Sequence, residues 1–370
     1  MREERHLWAE SYERDARDVL ATQGALAREI ANEVRARSSL PIRSSPPARA
    51  VRPEAQALYL KGRYLYHRWP EGLDKAAELL EKAVAEDPQH ALAQASLAMC
   101  YVDLALFYPP RPYYDKARQA ALRALALDEE SAGAHAALAA IKQFAEWDWA
   151  GSEREFRRAL ELGPGSVEAH FGYSSLLAGL GRFDEALVEA RRGLDLDPVS
   201  PLANAQPAWV LMMARRYHEA VVEYQRALDL HPDQGLAIVQ MAWCRTFQGR
   251  FAEALALFDQ RGLSHPDRHP YLGYLYARSG RRTEALAIAR SLERYLQQHY
   301  ESPLGLIALY GALGDRDRAF AWLDRALDER SLELFGIAVD PFVDSLRDDP
   351  RFARCLERMG LTHIRAVRGE

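Results

Sequence analysis

The chain has 370 residues, 48% of them hydrophobic and 27% charged, with a formal net charge of -5. This is the composition of a water-soluble chain with a substantial core, and no apolar run approaches the roughly 18 residues that cross a bilayer. The N-terminal stretch MREERHLWAESYERD lacks the apolar segment of a secretory signal. Cys100, Cys244 and Cys355 lie far apart without a CxxC pair, which predicts three free thiols in a reducing compartment, the cytoplasm. Only five of the 48 basic residues are lysines. An arginine-heavy set could serve carboxylate or phosphate recognition, although mutational bias in the source genome explains it more simply.

In chain order, residues 1–37 come first. His6–Tyr12 alternates weakly, as a strand does, and Val19, Leu26, Ile30 and Val34 then mark one face of a helix. Residues 38–53 carry four prolines, four serines and three arginines but no acid, the composition of a solvated linker. Helical hairpins begin at Glu54. The first ends at Pro88, with Ala76, Leu80 and Ala83 spaced along its second helix. The next is lengthened by Phe107–Tyr114, whose three prolines predict a loop leaving the stack. A third ends at Pro164, with Asp148 as the N-cap of its second helix. Three units in one phase end at Pro198, Pro232 and Pro266. A shortened seventh carries Leu272, Tyr276 and Ala285, and an eighth Leu306, Tyr310 and Ala326. The array spans 54–330. In the tail, 331–370, two Asp-Pro turn signals and a short helix from about Pro350 are expected to cap the last hairpin, because a solenoid end must cover its apolar face.

The prolines at 198, 232 and 266, and Ala186, Ala220 and Ala254 ahead of them, recur every 34 residues. That period, with a small residue in mid-unit and a closing proline, is the tetratricopeptide (TPR) pattern. Numbering each unit so that proline takes slot 32 puts alanine at slot 20 of all three, and in the middle unit Ala227 at slot 27 as well, where two helix backbones can approach closely. Gly181 and Gly249 fall at slot 15, where positive φ makes a tight turn. One such hairpin cannot bury its own apolar face, whereas a stack can. The predicted fold is therefore all-α: a right-handed superhelical solenoid of about eight helical hairpins, with a small strand-helix remnant before it.

With these residues placed, the chain resembles the C-terminal TPR array of multidomain bacterial regulators that carry a TolB-like α/β domain. LWAESYERDARDVLATQGALAREIANEV resembles the last strand and helix of that α/β domain. YLKGRYLYHR, EWDWAGSEREFRRALELGP and VDPFVDSLRDDPRFARCLERMGL resemble the start, middle and end of the array. In the family a winged-helix DNA-binding domain, a Ser/Thr kinase or a nucleotide cyclase often comes first. None occurs in this sequence, so none of those activities is carried over. Glu129 in a proline slot, Arg245 in an apolar slot and Pro207 inside a first helix depart from the pattern.

Catalytic signatures are missing. There is no P-loop, GxGxxG or HExxH. Gly172–Leu176 narrowly misses the GxSxG elbow and sits in a helix, and Val222 stands where a second histidine would complete His218-Glu219. His231 and His265 precede prolines in successive units without metal-ligand spacing. No cofactor, catalytic residue or metal is expected, and an enzyme reading has no constellation to stand on.

The concave wall is more informative. Slots 9 and 13 of the first helices share a face and hold Trp209 and Met213, Trp243 and Phe247, then Tyr274 and Arg278; Phe171 sits one unit earlier. The lysines and asparagines of the TPR carboxylate clamp are absent. A row of large aromatics suits an apolar or helical partner segment; equally, it could fill the interior of a tightly wound superhelix. The expected function is a non-catalytic scaffold binding a protein or peptide segment, with no direct nucleic-acid or membrane partner. The alternative is an intramolecular sensor controlling an attached effector domain.

Overall fold

The computed structural model describes residues 51–68, 70–261 and 269–364, all in one compact unit that begins at Val51. The strand-helix expected at 1–37, the linker as far as residue 50, and His265 lie outside the described residues. Sixteen helices pair in chain order: α1 Pro53–Tyr66 with α2 Leu73–Glu86, α3 Ala91–Leu104 with α4 Pro110–Leu127, α5 Ala132–Ile141 with α6 Trp149–Leu162, and α7 Val167–Gly179 with α8 Phe183–Leu196. Then come α9 Pro201–Met213 with α10 Tyr217–Leu230, α11 Gly235–Phe247 with α12 Phe251–Arg261, α13 Pro270–Arg278 with α14 Arg282–Tyr295, and α15 Leu304–Leu313 with α16 Arg316–Glu329. These eight hairpins form an all-α superhelical solenoid, with no strand among the described residues.

Small residues set the hairpin spacing. Ala186, Ala220 and Ala254 are fully buried, and Tyr224 fills the gap beside them. Across the α7–α8 hairpin the Ser174 hydroxyl donates to the Ala186 carbonyl at 2.9 Å, so even the polar atom in this contact is satisfied. The turns within hairpins use Gly181, Gly249, Gly280 and Gly314, all with φ between 73° and 82°. In the fifth hairpin the same place is taken by Arg215 at φ 66°. A side chain in this left-handed region costs roughly 1–3 kcal/mol. Before Pro88, Pro164, Pro198 and Pro232 the chain leaves the helix at Asp87, Gly163, Asp197 and His231, with ψ between 75° and 91°. The proline ring disfavours the α conformation in its predecessor.

Asp148 caps α6, accepting from the Gly151 amide at 2.9 Å. Arg245 is held by Glu253 at 3.3 Å and Gln248 at 3.1 Å, which accommodates a charge in an apolar slot. Pro207 lies within α9 without ending it. The expectation for Phe107–Tyr114 needs correction: only residues 105–109 leave the helices, and α4 starts at Pro110. Pro110 and Pro112 fall in its first turn, where amides have no intrahelical acceptor and proline removes nothing.

The tail does more than cover an end. Its helix α17, Pro350–Arg358, packs on the last hairpin, with Phe352 in the cluster of Phe320 and Leu323 and Arg351 paired to Asp317 at 2.8 Å. Before it, two 3-10 turns, Leu332–Gly336 and Pro341–Leu346, pack against α9, α11 and α13. Both Asp-Pro signals act as caps: Asp340 accepts from Phe342 N at 2.9 Å and Asp349 from Arg351 N at 3.0 Å. The far end of the array also returns to its early hairpins. Arg111 donates to the Asp328 carbonyl at 2.5 Å, and Trp149 Nε1 to that of Met359 at 2.6 Å. The Arg330 guanidinium lies 3.5 Å from the centroid of the Trp147 ring.

Candidate protein-interaction groove

The helical period that put Trp209 and Met213, and Trp243 and Phe247, on shared faces of α9 and α11 also turns them toward residues 332–346. Two phenylalanines of that segment meet them. Phe335 lies 5.9 Å from Trp209 and 5.4 Å from Phe144, between ring centroids. Phe342 lies 5.2 Å from Trp243, 4.9 Å from Phe247, 4.6 Å from Tyr271 and 4.9 Å from Tyr274. Most of these pairs are tilted or edge-on, the arrangement in which ring quadrupoles attract. Met213 faces Gly336, where a Cβ would stand 3.1 Å from its Cε. Gly179 allows the closest approach: a Cβ there would meet the Phe335 carbonyl oxygen at 2.9 Å.

Of the seven residues that sequence marked on this wall, Trp209, Met213, Trp243, Phe247 and Tyr274 come together around the tail. Phe171 is half-buried, and Arg278 is exposed, donating to the Tyr274 hydroxyl at 2.9 Å. Sequence reasoning passed over Tyr271, Phe335, Phe342 and Arg215. A signal existed for Arg215, which with Trp147 is one of two non-glycines at a turn position that four other hairpins give to glycine. Another existed in LFGIAVDPFV, a nearly unbroken apolar run in what was read as a surface cap.

Charge fixes the segment as well. Arg215, with its side chain 4% exposed, binds Asp344 at 2.7 Å. Arg347 folds the turn back on itself, donating to the carbonyls of Ala338 at 2.6 Å and Asp340 at 2.7 Å. Arg215 also interacts with the Tyr217 side chain, although its Nε and Nη1, like Nε1 of Trp243, are buried with no acceptor at full hydrogen-bonding geometry among the described residues.

Two acids of the segment titrate abnormally. Burial pushes Asp340 up to about 6, against the opposing pull of its Phe342 amide bond and of Arg215 and Arg347, with Asp344 adding to the rise. Burial likewise pushes Glu333 up to about 7; Ser302 opposes this, while Asp340 and Glu301 add to it. A carboxyl whose pKa is raised in the folded state binds its proton more tightly there, so its stabilising effect fades as pH rises through the folded value. The seated segment should therefore loosen from about pH 4, where the acids titrate in the unfolded chain, to about pH 7, and level off above that. Amide exchange over 332–346, corrected for intrinsic rates, should show protection falling across that range, and Asp340→Asn should flatten the trend. Protection that instead grows with pH would contradict the burial of these acids.

Chemistry elsewhere is sparse. Cys100, Cys244 and Cys355 are free and buried, and burial pushes each thiol up, Cys355 to about 11, away from the thiolate that reacts. Asp103, raised to about 6 by burial, accepts from Tyr66 at 2.6 Å. His231 contacts the Val199 carbonyl at 2.9 Å. No group of three or more His, Cys, Asp or Glu with metal-binding geometry occurs among the described residues, and no described helix is long and apolar enough to cross a membrane.

Residues 144–201 and 211–279 match tetratricopeptide-repeat family models; the chain carries tetratricopeptide repeats, and its fold is the solenoid they build. Human IFIT1 as a dimer with m7Gppp-AAAA is similar at 16% identity and TM-score 0.56, over 84% of this chain and 78% of that one. A monomeric IFIT1 mutant with Gppp-AAAA is similar at 16% identity and TM-score 0.58, over 94% and 82%. TTC0263, a thermophilic TPR protein of Thermus thermophilus, matches at 21% identity and TM-score 0.44, over 51% and 98%. At these identities the likeness to IFIT1 is one of fold alone. No curated protein sequence matches the chain. TPR proteins are in general non-catalytic scaffolds for protein interactions.

Proposed function

We propose that this chain is a cytoplasmic scaffold that takes a protein or peptide segment along its concave wall, at Trp209, Met213, Trp243, Phe247 and Tyr274, with Phe171 and Arg278 at the margins. One observation carries the reading: the wall already holds a short segment of 3-10 turns by two aromatic anchors. Buried aromatics dominate binding energy at protein interfaces, and this wall offers several in one row. A photoreactive phenylalanine analogue at position 209 or 247 tests it. Adducts should form with a partner, and the same analogue at the exposed convex residues Val188 or Val222 should not give them. Trp209→Ala should weaken partner binding by about 2 kcal/mol or more. Full binding by the folded variant would defeat the assignment.

A second reading is the regulatory region of a multidomain regulator. Residues 1–37 would then be the remnant of a TolB-like domain, 38–53 a linker, 54–330 the sensing array and 331–370 its tail. The observation favouring it is that the segment in the groove is the chain's own. Cross-links from positions 209 and 247 that stay within one polypeptide, and shift when an attached effector changes state, would support this reading over the first.

A further inference from the structure

Residues 340–344, Asp-Pro-Phe-Val-Asp, grip the wall through chemically different contacts. Asp340 caps the turn by accepting from Phe342 N at 2.9 Å, which sets the Phe342 ring among Trp243, Phe247, Tyr271 and Tyr274. Two residues further on, Asp344 reaches Arg215. The arginine side chain is 4% exposed and the aspartate 47%, so the sealed charge belongs to the wall and the tail answers it from the rim. Arg215 also holds φ 66° where Gly181, Gly249, Gly280 and Gly314 make the equivalent turns. Trp147 takes the same position in the third hairpin at φ 59°, so the backbone there is a shared turn geometry, and what sets Arg215 apart is the charge it seals at the wall.

The match between wall and tail is incomplete. Arg215 Nη2 has its carboxylate and the guanidinium interacts with Tyr217, while Arg215 Nε and Nη1 and Trp243 Nε1 are buried with no acceptor at full hydrogen-bonding geometry among the described residues. A guanidinium presents a fork suited to two-pronged carboxylate binding, and buried donors are ordinarily paired. A carboxylate placed on both prongs of Arg215 would add bonds that Asp344 does not supply.

We infer that the groove is selective for acidic–aromatic protein segments, with a ring in the four-residue aromatic box and a carboxylate two residues later on Arg215, and that residues 331–346 are the resident occupant such a partner replaces. The inference rests on the groove reading above and adds the class of partner. Tethering gives the resident segment a high local concentration, so a free segment competes only by supplying the acceptors the tail leaves out, or when the tail is loosened.

The test uses the full chain carrying Asp344→Ala, which removes an exposed acid and no core atom, beside Phe342→Ala/Asp344→Ala, with helicity checked by circular dichroism. Amide exchange over 332–346 should quicken by about tenfold or more in at least one variant, while α9 and α11 keep their protection. A fluorescent peptide of residues 331–347 should bind the loosened variant about tenfold more tightly than the unmodified chain. Its Asp344→Asn form should bind about tenfold more weakly, a difference that Arg215→Ala in the variant removes. Equal binding of the two peptides would overturn the acidic selectivity and leave the groove reading standing. Absence of binding to a variant whose segment exchanges freely would overturn both. Unchanged protection of 332–346 in both variants would overturn the resident-occupant inference, because the segment would then be permanent core. A dimer on size-exclusion chromatography would replace the partner with a second copy of the chain.

Discussion

Phe342→Ala is expected to lower the unfolding free energy by about 3–5 kcal/mol. The ring is 4% exposed and meets Trp243, Phe247, Tyr271 and Tyr274, so truncation leaves a cavity walled by four aromatics that cannot all collapse into it. The neighbouring Val339, Val343 and Leu346 are fully buried and hold the backbone near its place, which keeps the cavity open. Urea denaturation followed by circular dichroism gives the number. A loss under about 1 kcal/mol, the range of surface substitutions, would show that the segment does not sit among those rings in solution.

Trp243→Ala should come next, at about 3 kcal/mol, and Trp209→Ala should cost less. Trp243 packs on both Tyr271 at 4.5 Å and Phe342 at 5.2 Å, whereas Trp209 meets Phe335 at 5.9 Å. The indole N–H of Trp243 has no acceptor among the described residues, so no hydrogen bond is lost to inflate the figure. Trp243→Ala and Phe342→Ala should also couple, the double variant losing about 0.5–1.5 kcal/mol less than the two single losses together. Strict additivity would separate the two rings and with them the account of how the tail is held.

Both variants probe the same distinction. If the wall is only core, stability alone changes. If it is a groove with a resident occupant, loosening the tail with Asp344→Ala makes room for an added peptide, and Trp243→Ala removes that binding too.

The sequence by itself determined the repeat. Ala186, Ala220 and Ala254 act through their small size, Gly181 and Gly249 through their freedom at positive φ, and the unit-ending prolines through a clash with the residue before them. Each effect works within a few residues and so leaves a periodic trace. The same locality explains the misreading at Phe107–Tyr114, since proline stops a helix in its interior but opens one in its first turn, and counting prolines does not distinguish the two. Even Arg215 was legible as a break in a row of glycines. What faces the concave aromatics was not. Trp209 and Trp243 meet Phe335 and Phe342 across long stretches of chain, and a tail that forms 3-10 turns carries no helical period to mark a buried face. Only the superhelical winding, which returns the last hairpin to the early ones at Arg111 and Trp149, brings the tail to the wall. That winding is the sum of small rotations between neighbouring hairpins, and it exists only once the whole stack has formed.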